Sequence, residues 1–209
     1  MSRLGIFGGS FDPPHVGHLL VAQDAVRALS LDRLLIVPAA QQPLKQGQHI
    51  PAQHRLEMVH RCFDGVPQME VDPIEIERGG LSFMVDTVEG LRLRWPAAEL
   101  YLLIGNDVIA SLPQWRDPQR LRSLVRLVVL QRGSLDDVAE SSSRQPDGPD
   151  FPVQYLATRR VDVSSTEIRA RVREGRSIRG FVSDGVASYI ASAGLYSRDS
   201  VAEDVSARA

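Results

Sequence analysis

The sequence predicts an α/β fold, a doubly wound parallel sheet of about five or six strands with helices on both faces. Three observations lead there. Short apolar runs alternate with longer stretches of helical periodicity along the 209 residues. The runs are apolar throughout rather than at every second position, as strands covered on both faces are. The first run ends in Gly8-Gly9 and feeds a helical stretch, so the chain begins with a strand–loop–helix unit.

Each element follows from its own pattern. Arg3 to Phe7 (RLGIF) is a buried strand feeding a tight loop. His15 to Leu29 carries Val16, Leu19, Leu20, Ala22, Val26 and Leu29 at helical spacing. Leu34 to Val37 is a second strand, stopped by Pro38. Pro51 to Phe63 is a helix with proline in its first turn. Met69 to Ile76 reads as a strand, with Pro73 distorting it or placing it at an edge. Val85 to Arg94 is helical, Leu100 to Ile104 a buried strand ended by Gly105-Asn106, and Leu124 to Leu130 another strand. Ser134 to Asp150, rich in Ser, Asp, Pro and Gly, breaks the pattern as a surface excursion or disordered loop. A short strand at Val153 to Leu156 and helices at Ser164–Glu174 and Asp184–Ala193 close the unit. Residues 1–195 thus form one domain, and 196–209 a flexible tail.

Composition narrows the function classes. The formal net charge of −2 gives no global basic field for nucleic acid or an anionic membrane, so the expected partners are small molecules. Cys62 is the single cysteine and lies in an amphipathic helical stretch, which makes it a structural thiol rather than a nucleophile. No apolar run is long enough for a membrane span, and the N-terminus enters a strand pattern at once, so a cytoplasmic location is expected.

The loop after the first strand, GGSFDPPHVGH (Gly8 to His18), is the most informative segment. Gly8 and Gly9 allow backbone amides to approach a phosphate. The helix start near His15 offers free amides and a favourable dipole to an anion. His15 and His18 share a face of the first turn, and Gly17 between them leaves that face open to a base or ribose. Both imidazoles can donate to a phosphate, which in turn favours their charged form. A metal pair is the other use of that spacing, but no third ligand cluster accompanies it and no protein metal site is expected. The second element is VDVSSTEIR (Val161 to Arg169). Ser164 and Glu167 fit a capping box. Ser165, Thr166 and Arg169 add hydroxyls and a guanidinium suited to terminal phosphates.

Together GGSFDPPHVGH and SSTEIR resemble the HxGH nucleotidyltransferase superfamily. The resemblance implies a Rossmann-like sheet and transfer of a nucleotidyl group with release of pyrophosphate. Within it, ERGGLSFMVDT (Glu77 to Thr87), LIGNDVIASLPQW (Leu103 to Trp115) and LQRG (Leu130 to Gly133) are similar to the bacterial nicotinate mononucleotide adenylyltransferases. That family implies ATP as co-substrate, Mg²⁺ carried with the nucleotide, and nicotinate mononucleotide as acceptor in NAD synthesis. It places Gly8, Gly9, Ser10, Phe11, Gly17, Gly105, Asp107, Ser164, Ser165 and Thr166 on the ATP side, and His15, His18 and Arg169 at the reacting phosphates. The acceptor side is assigned to Lys45, Ser82, Phe83, Met84, Trp115 and Arg132, with Trp115 stacking on the pyridine ring or serving as plain core packing. There are departures. Leu44-Lys45 stands where the family often has His-Lys, and Ser82-Phe83-Met84 replaces a Ser-Tyr-Thr triplet. Alternatives are adenylyltransferases for nicotinamide mononucleotide or phosphopantetheine, and a non-catalytic nucleotide sensor on the same fold.

Overall fold

The computed structural model describes residues 2–44, 50–133 and 153–197. Six strands form one sheet: β1 (Arg3–Gly9), β2 (Arg33–Pro38), β3 (Met69–Val71), β4 (Glu99–Gly105), β5 (Arg126–Arg132) and β6 (Val153–Thr158). Their order is β3-β2-β1-β4-β5-β6, and every pairing is parallel. The chain order reverses between β1 and β4, so the crevice for a ligand lies beyond the carboxyl ends of those two strands.

Side-chain alternation explains the two covered faces. Leu34 and Ile36 of β2 and Tyr101 and Leu103 of β4 point into one core. Leu35 and Val37, with Leu100 and Leu102, point into the other. The first core is filled from α1 (Val16–Leu29), α2 (Ala52–Phe63), α6 (Ser165–Arg173) and α7 (Asp184–Ser192). The second is filled from α4 (Met84–Arg94), the 3-10 segment Asn106–Gln114 and α5 (Pro118–Leu124). Ile6, Leu35 and Leu102 are fully buried. Each contributes about 1.5–3 kcal/mol of burial, so the central strands are a rigid base for the loops above them.

The structure departs from the sequence reading in three places. Strand β3 stops at Val71, and a short helix α3 (Ile74–Arg78) follows where a continuous strand to Ile76 is expected. Pro73 starts this helix instead of distorting a strand, and the Asp72 carboxylate accepts from the Ile74 amide at 3.0 Å. Leu124 ends α5 and does not begin β5; Asp117 caps that helix, accepting from the Arg120 amide. The first residue of the expected tail, Tyr196, is buried and bonded to Asp12. The excursion Ser134–Asp150 lies outside the described residues, as does the chain beyond Ser197. No helix among the described residues is long and apolar enough to cross a membrane.

Candidate active site

The loop leaving β1 is held from several directions. Phe11 takes a left-handed backbone conformation (φ 50°) and turns its ring into the core, edge-on to Phe7, Phe63 and His18. Its side chain is therefore a buried anchor, and only its backbone is placed to meet a nucleotide. A non-glycine residue with positive φ is held there by its surroundings, a strain found often at functional loops. The Tyr196 hydroxyl donates to the Asp12 carboxylate at 2.5 Å. Burial and the adjacent Asp12 charge push the Tyr196 phenol well above its ordinary range, so it stays a donor.

The paired histidines do more than face an anion. The His15 amide donates to Nδ1 of His18 at 3.2 Å, and the His18 amide donates to Nδ1 of His15 at 3.3 Å. This is a capping box made of two imidazoles, their rings stacked 3.7 Å apart. A nitrogen accepting from an amide carries no proton, so the network assigns both rings as neutral Nε2–H tautomers. The ring N–H at Nε2 of each is then the group left to face an anion. The Val16 amide is also engaged, donating to the Phe181 carbonyl at 2.9 Å. An anion placed at this helix start would therefore meet the helix dipole and the ring N–H groups rather than those first amides. The structure adds a local reason for Gly17. It is buried, and a Cβ there would meet the His15 ring at 3.0 Å, so its bareness makes room for the imidazole.

The second phosphate element lands beside the first. Ser164 caps α6, its hydroxyl accepting from the Glu167 amide at 3.2 Å. The Ser165 hydroxyl donates to the Pro13 carbonyl at 2.8 Å, and Arg169 donates to the Asp12 carbonyl at 2.7 Å. A second Arg169 nitrogen donates to the Thr166 hydroxyl at 3.3 Å. Residues about 150 positions apart thus share one wall, as the sequence implies. Ser165 and Arg169 also tie the loop in place, a task the sequence did not disclose. The Nε of Arg169 is buried without a hydrogen-bond partner among the described residues.

At the carboxyl ends of β1 and β4, where the same loop begins, lies a cavity of about 220 Å³. Gly8, Gly9, Gly105, Ser82, Phe83, Met84 and Trp115 all line it. The sequence-assigned acceptor residues and the glycine loop therefore meet in one space. Trp115 is half-buried; its indole N–H donates to the Ser111 hydroxyl at 3.3 Å, which fixes the ring plane. Asp107 is exposed on the 3-10 segment and is not among the lining residues. A Cβ at Gly105 would meet the Asp107 carboxylate oxygen at 2.5 Å, a contact that a shift of this exposed side chain relieves. Lys45 lies outside the described residues. Arg132 lies on β5, where it pairs with Thr158.

Several residues that the sequence reading passed over complete the site. Arg116 holds its guanidinium 4.8 Å over the Phe83 ring and pairs with Asp86 at 3.2 Å. Glu75 lines the cavity although it is only 3% exposed. Burial raises its pKa, opposed by hydrogen bonds from the Thr87 and Ser82 hydroxyls. The Ser82 hydroxyl also accepts from the Ala40 amide at 2.9 Å, so Glu75 orders the segment that faces the acceptor side. Cys62 is buried as a structural thiol, and burial pushes its pKa up to about 12.

Comparison with known proteins agrees with this geometry. The cytidylyltransferase-like family matches residues 6–171. A probable nicotinate-nucleotide adenylyltransferase of Gemmatimonas aurantiaca is 64% identical over 200 residues, covering 93% of this chain and 92% of its own. The chain belongs to the nicotinate-nucleotide adenylyltransferase family. Another member, from a Roseiflexus species, is 42% identical over 195 residues, covering 92% of this chain and 97% of its own. The fold is also that of a Plasmodium falciparum nicotinic acid mononucleotide adenylyltransferase solved with NaAD. The two superpose with a TM-score of 0.72 at 18% identity, over 94% of this chain and 98% of the other. The Rossmann-like sheet expected from the two phosphate motifs is thus the family's own fold.

Proposed function

We propose that the protein transfers the AMP part of ATP to the phosphate of nicotinate mononucleotide, giving nicotinate adenine dinucleotide and pyrophosphate in cytoplasmic NAD synthesis. The observation that carries this is that one loop, Gly8 to His18, joins two differently built walls. One is a donor wall of His15, His18, Ser165 and Arg169; the other is an apolar cavity lined by Trp115 and Ser82–Met84. A triphosphate suits the first and a flat, electron-poor ring the second.

The chemistry needs little from the protein beyond placement. A phosphate monoester has a second pKa of about 6, so at neutral pH it attacks the α-phosphate in line without a general base. His18 donates through Nε2 to oxygens that gain charge in the transition state. His15 holds His18 in its tautomer, and Arg169 and the start of α6 receive the leaving pyrophosphate. The donors gathered here are imidazole N–H groups, hydroxyls and a guanidinium, and the Asp12 carboxylate is bonded to Tyr196. Such a set fits anions and not a resident cation. Mg²⁺ therefore belongs on the nucleotide's own phosphates and waters.

The test is pyrophosphate release from ATP with nicotinate mononucleotide, nicotinamide mononucleotide and phosphopantetheine as separate acceptors. The acid mononucleotide should give the highest kcat/KM. Preference for either of the others would reassign the acceptor, and release with none would mark a nucleotide sensor. Within the same assay, Trp115→Ala should raise KM for the pyridine nucleotide about three- to tenfold, the scale of one aromatic stack. KM for ATP should stay near its original value; equal effects on both substrates would remove the stacking role.

A further inference from the structure

Arg55 is fully buried, the largest side chain among the described residues with so little exposure. It stands on α2, away from either phosphate motif, and the mechanism above does not use it. Its two terminal nitrogens donate to the Ser10 carbonyl and the Ala40 carbonyl, each at 2.8 Å. These carbonyls belong to the loops leaving neighbouring strands β1 and β2. The last backbone bond between those strands runs from the Ala39 amide to the Gly9 carbonyl at 2.9 Å. One residue further on, the guanidinium bridges the two chains from the side.

The two loops serve different substrates. The Ser10 loop runs on into the His15–His18 pair. The Ala40 peptide is gripped on its other side by the Ser82 hydroxyl, and Ser82 lines the acceptor cavity. We infer that Arg55 is a positioning residue that fixes the spacing between the ATP subsite and the acceptor subsite. Stability alone does not call for a guanidinium here. Burial lowers its pKa against the opposing charges of Asp12 and Glu75, and its Nε is buried with no partner among the described residues. A buried charge is often no better for stability than apolar packing of the same size. What an apolar residue cannot supply is a rigid fork with donors to both carbonyls at once. Spacing matters because in-line transfer needs reacting atoms at about 3–3.5 Å, and a misplacement of about 1 Å can lower the rate about a hundredfold.

This inference rests on the transferase reading for its kinetic arm only. Arg55→Lys keeps the charge beside Asp12 but loses the planar fork. It should lower kcat at saturation at least about tenfold, while KM for ATP and for the acceptor each move less than about threefold. A kcat within threefold of the parent chain, or a fall matched by loss of folded protein in circular dichroism, would overturn the inference. The second arm needs no substrate and no variant. In the unmodified chain, hydrogen exchange of the amides in Gly9–Asp12 and Ala39–Gln41 should follow one common opening across a denaturant series, shared with α2. Independent opening of the two loops would refute the clamp whatever reaction the protein catalyses. An unmodified chain inactive with every acceptor would instead refute the transferase reading.

Discussion

Replacing His18 by alanine is expected to lower turnover at least about a hundredfold, the scale for removing one preorganised donor from a developing charge. The structure supports a loss at the upper end, because His18 acts twice. Its Nδ1 accepts from the His15 amide, and the His15 ring in turn accepts from the His18 amide. Alanine removes the donor and half of the reciprocal cap: the His15 amide loses its acceptor, while the residue-18 amide that fixes the His15 tautomer is kept. The folding cost should be modest, about 1 kcal/mol for a lost cap, which keeps the kinetic effect interpretable. His18→Asn separates the two roles. A short amide can still accept from the His15 amide but cannot reach as far towards a phosphate, so stability should recover and turnover should not. Pyrophosphate release at saturating substrates, with a thermal melt of each variant, decides the matter. Near-normal release from His18→Ala would remove this residue from the mechanism.

Much of this site is legible in the sequence because its chemistry sits in contiguous segments. Gly8-Gly9 and the spacing of His15 and His18 lie in one loop, and Ser164 to Arg169 in one helix start. Their convergence is then a consequence of a parallel sheet whose loops gather at one rim. The residues that were missed act across the fold, and no local pattern names their partners. Arg55 does leave a trace: Met58, Val59 and Cys62 stand three, four and seven positions later and are buried, so a charge occupies the apolar stripe of α2. Periodicity marks such a residue as odd without saying which carbonyls it serves. Glu75 was hidden by the reading of Pro73 as a strand defect; once Pro73 starts a helix, Glu75 turns inward to Thr87. Gly17 shows the opposite case, since its place in the motif is plain in the sequence and its packing is not. Only the His15 ring, 3.0 Å from where a Cβ would stand, reveals that a side chain there would crowd the imidazole.

The second large effect is expected at Asp12, and it concerns the fold before the chemistry. This carboxylate is 6% exposed, accepts the Tyr196 hydroxyl, and its charge acts on the fully buried Arg55. Asp12→Ala removes one of the two carboxylates acting on that guanidinium and leaves the buried Tyr196 hydroxyl without its acceptor, which together should cost about 3 kcal/mol. At about 2–4 °C per kcal/mol for a chain of this size, the melting temperature should fall on the order of 10 °C. Asp12→Asn is the informative comparison. It keeps an oxygen for Tyr196 and nearly the same volume, but removes the charge. If electrostatic compensation of Arg55 dominates, both variants should be destabilised similarly; if the bond to Tyr196 dominates, asparagine should stay close to the parent chain while Tyr196→Phe reproduces most of the loss. Urea melts of the three variants separate these cases, and a melting temperature unchanged in Asp12→Ala would refute the role of this carboxylate altogether. Activity should fall further than stability in Asp12→Ala, because the Asp12 and Pro13 carbonyls are the anchors for Arg169 and Ser165. A turn that loses its buried side chain no longer holds those two residues against the phosphates, so the folded fraction that survives should still turn over slowly.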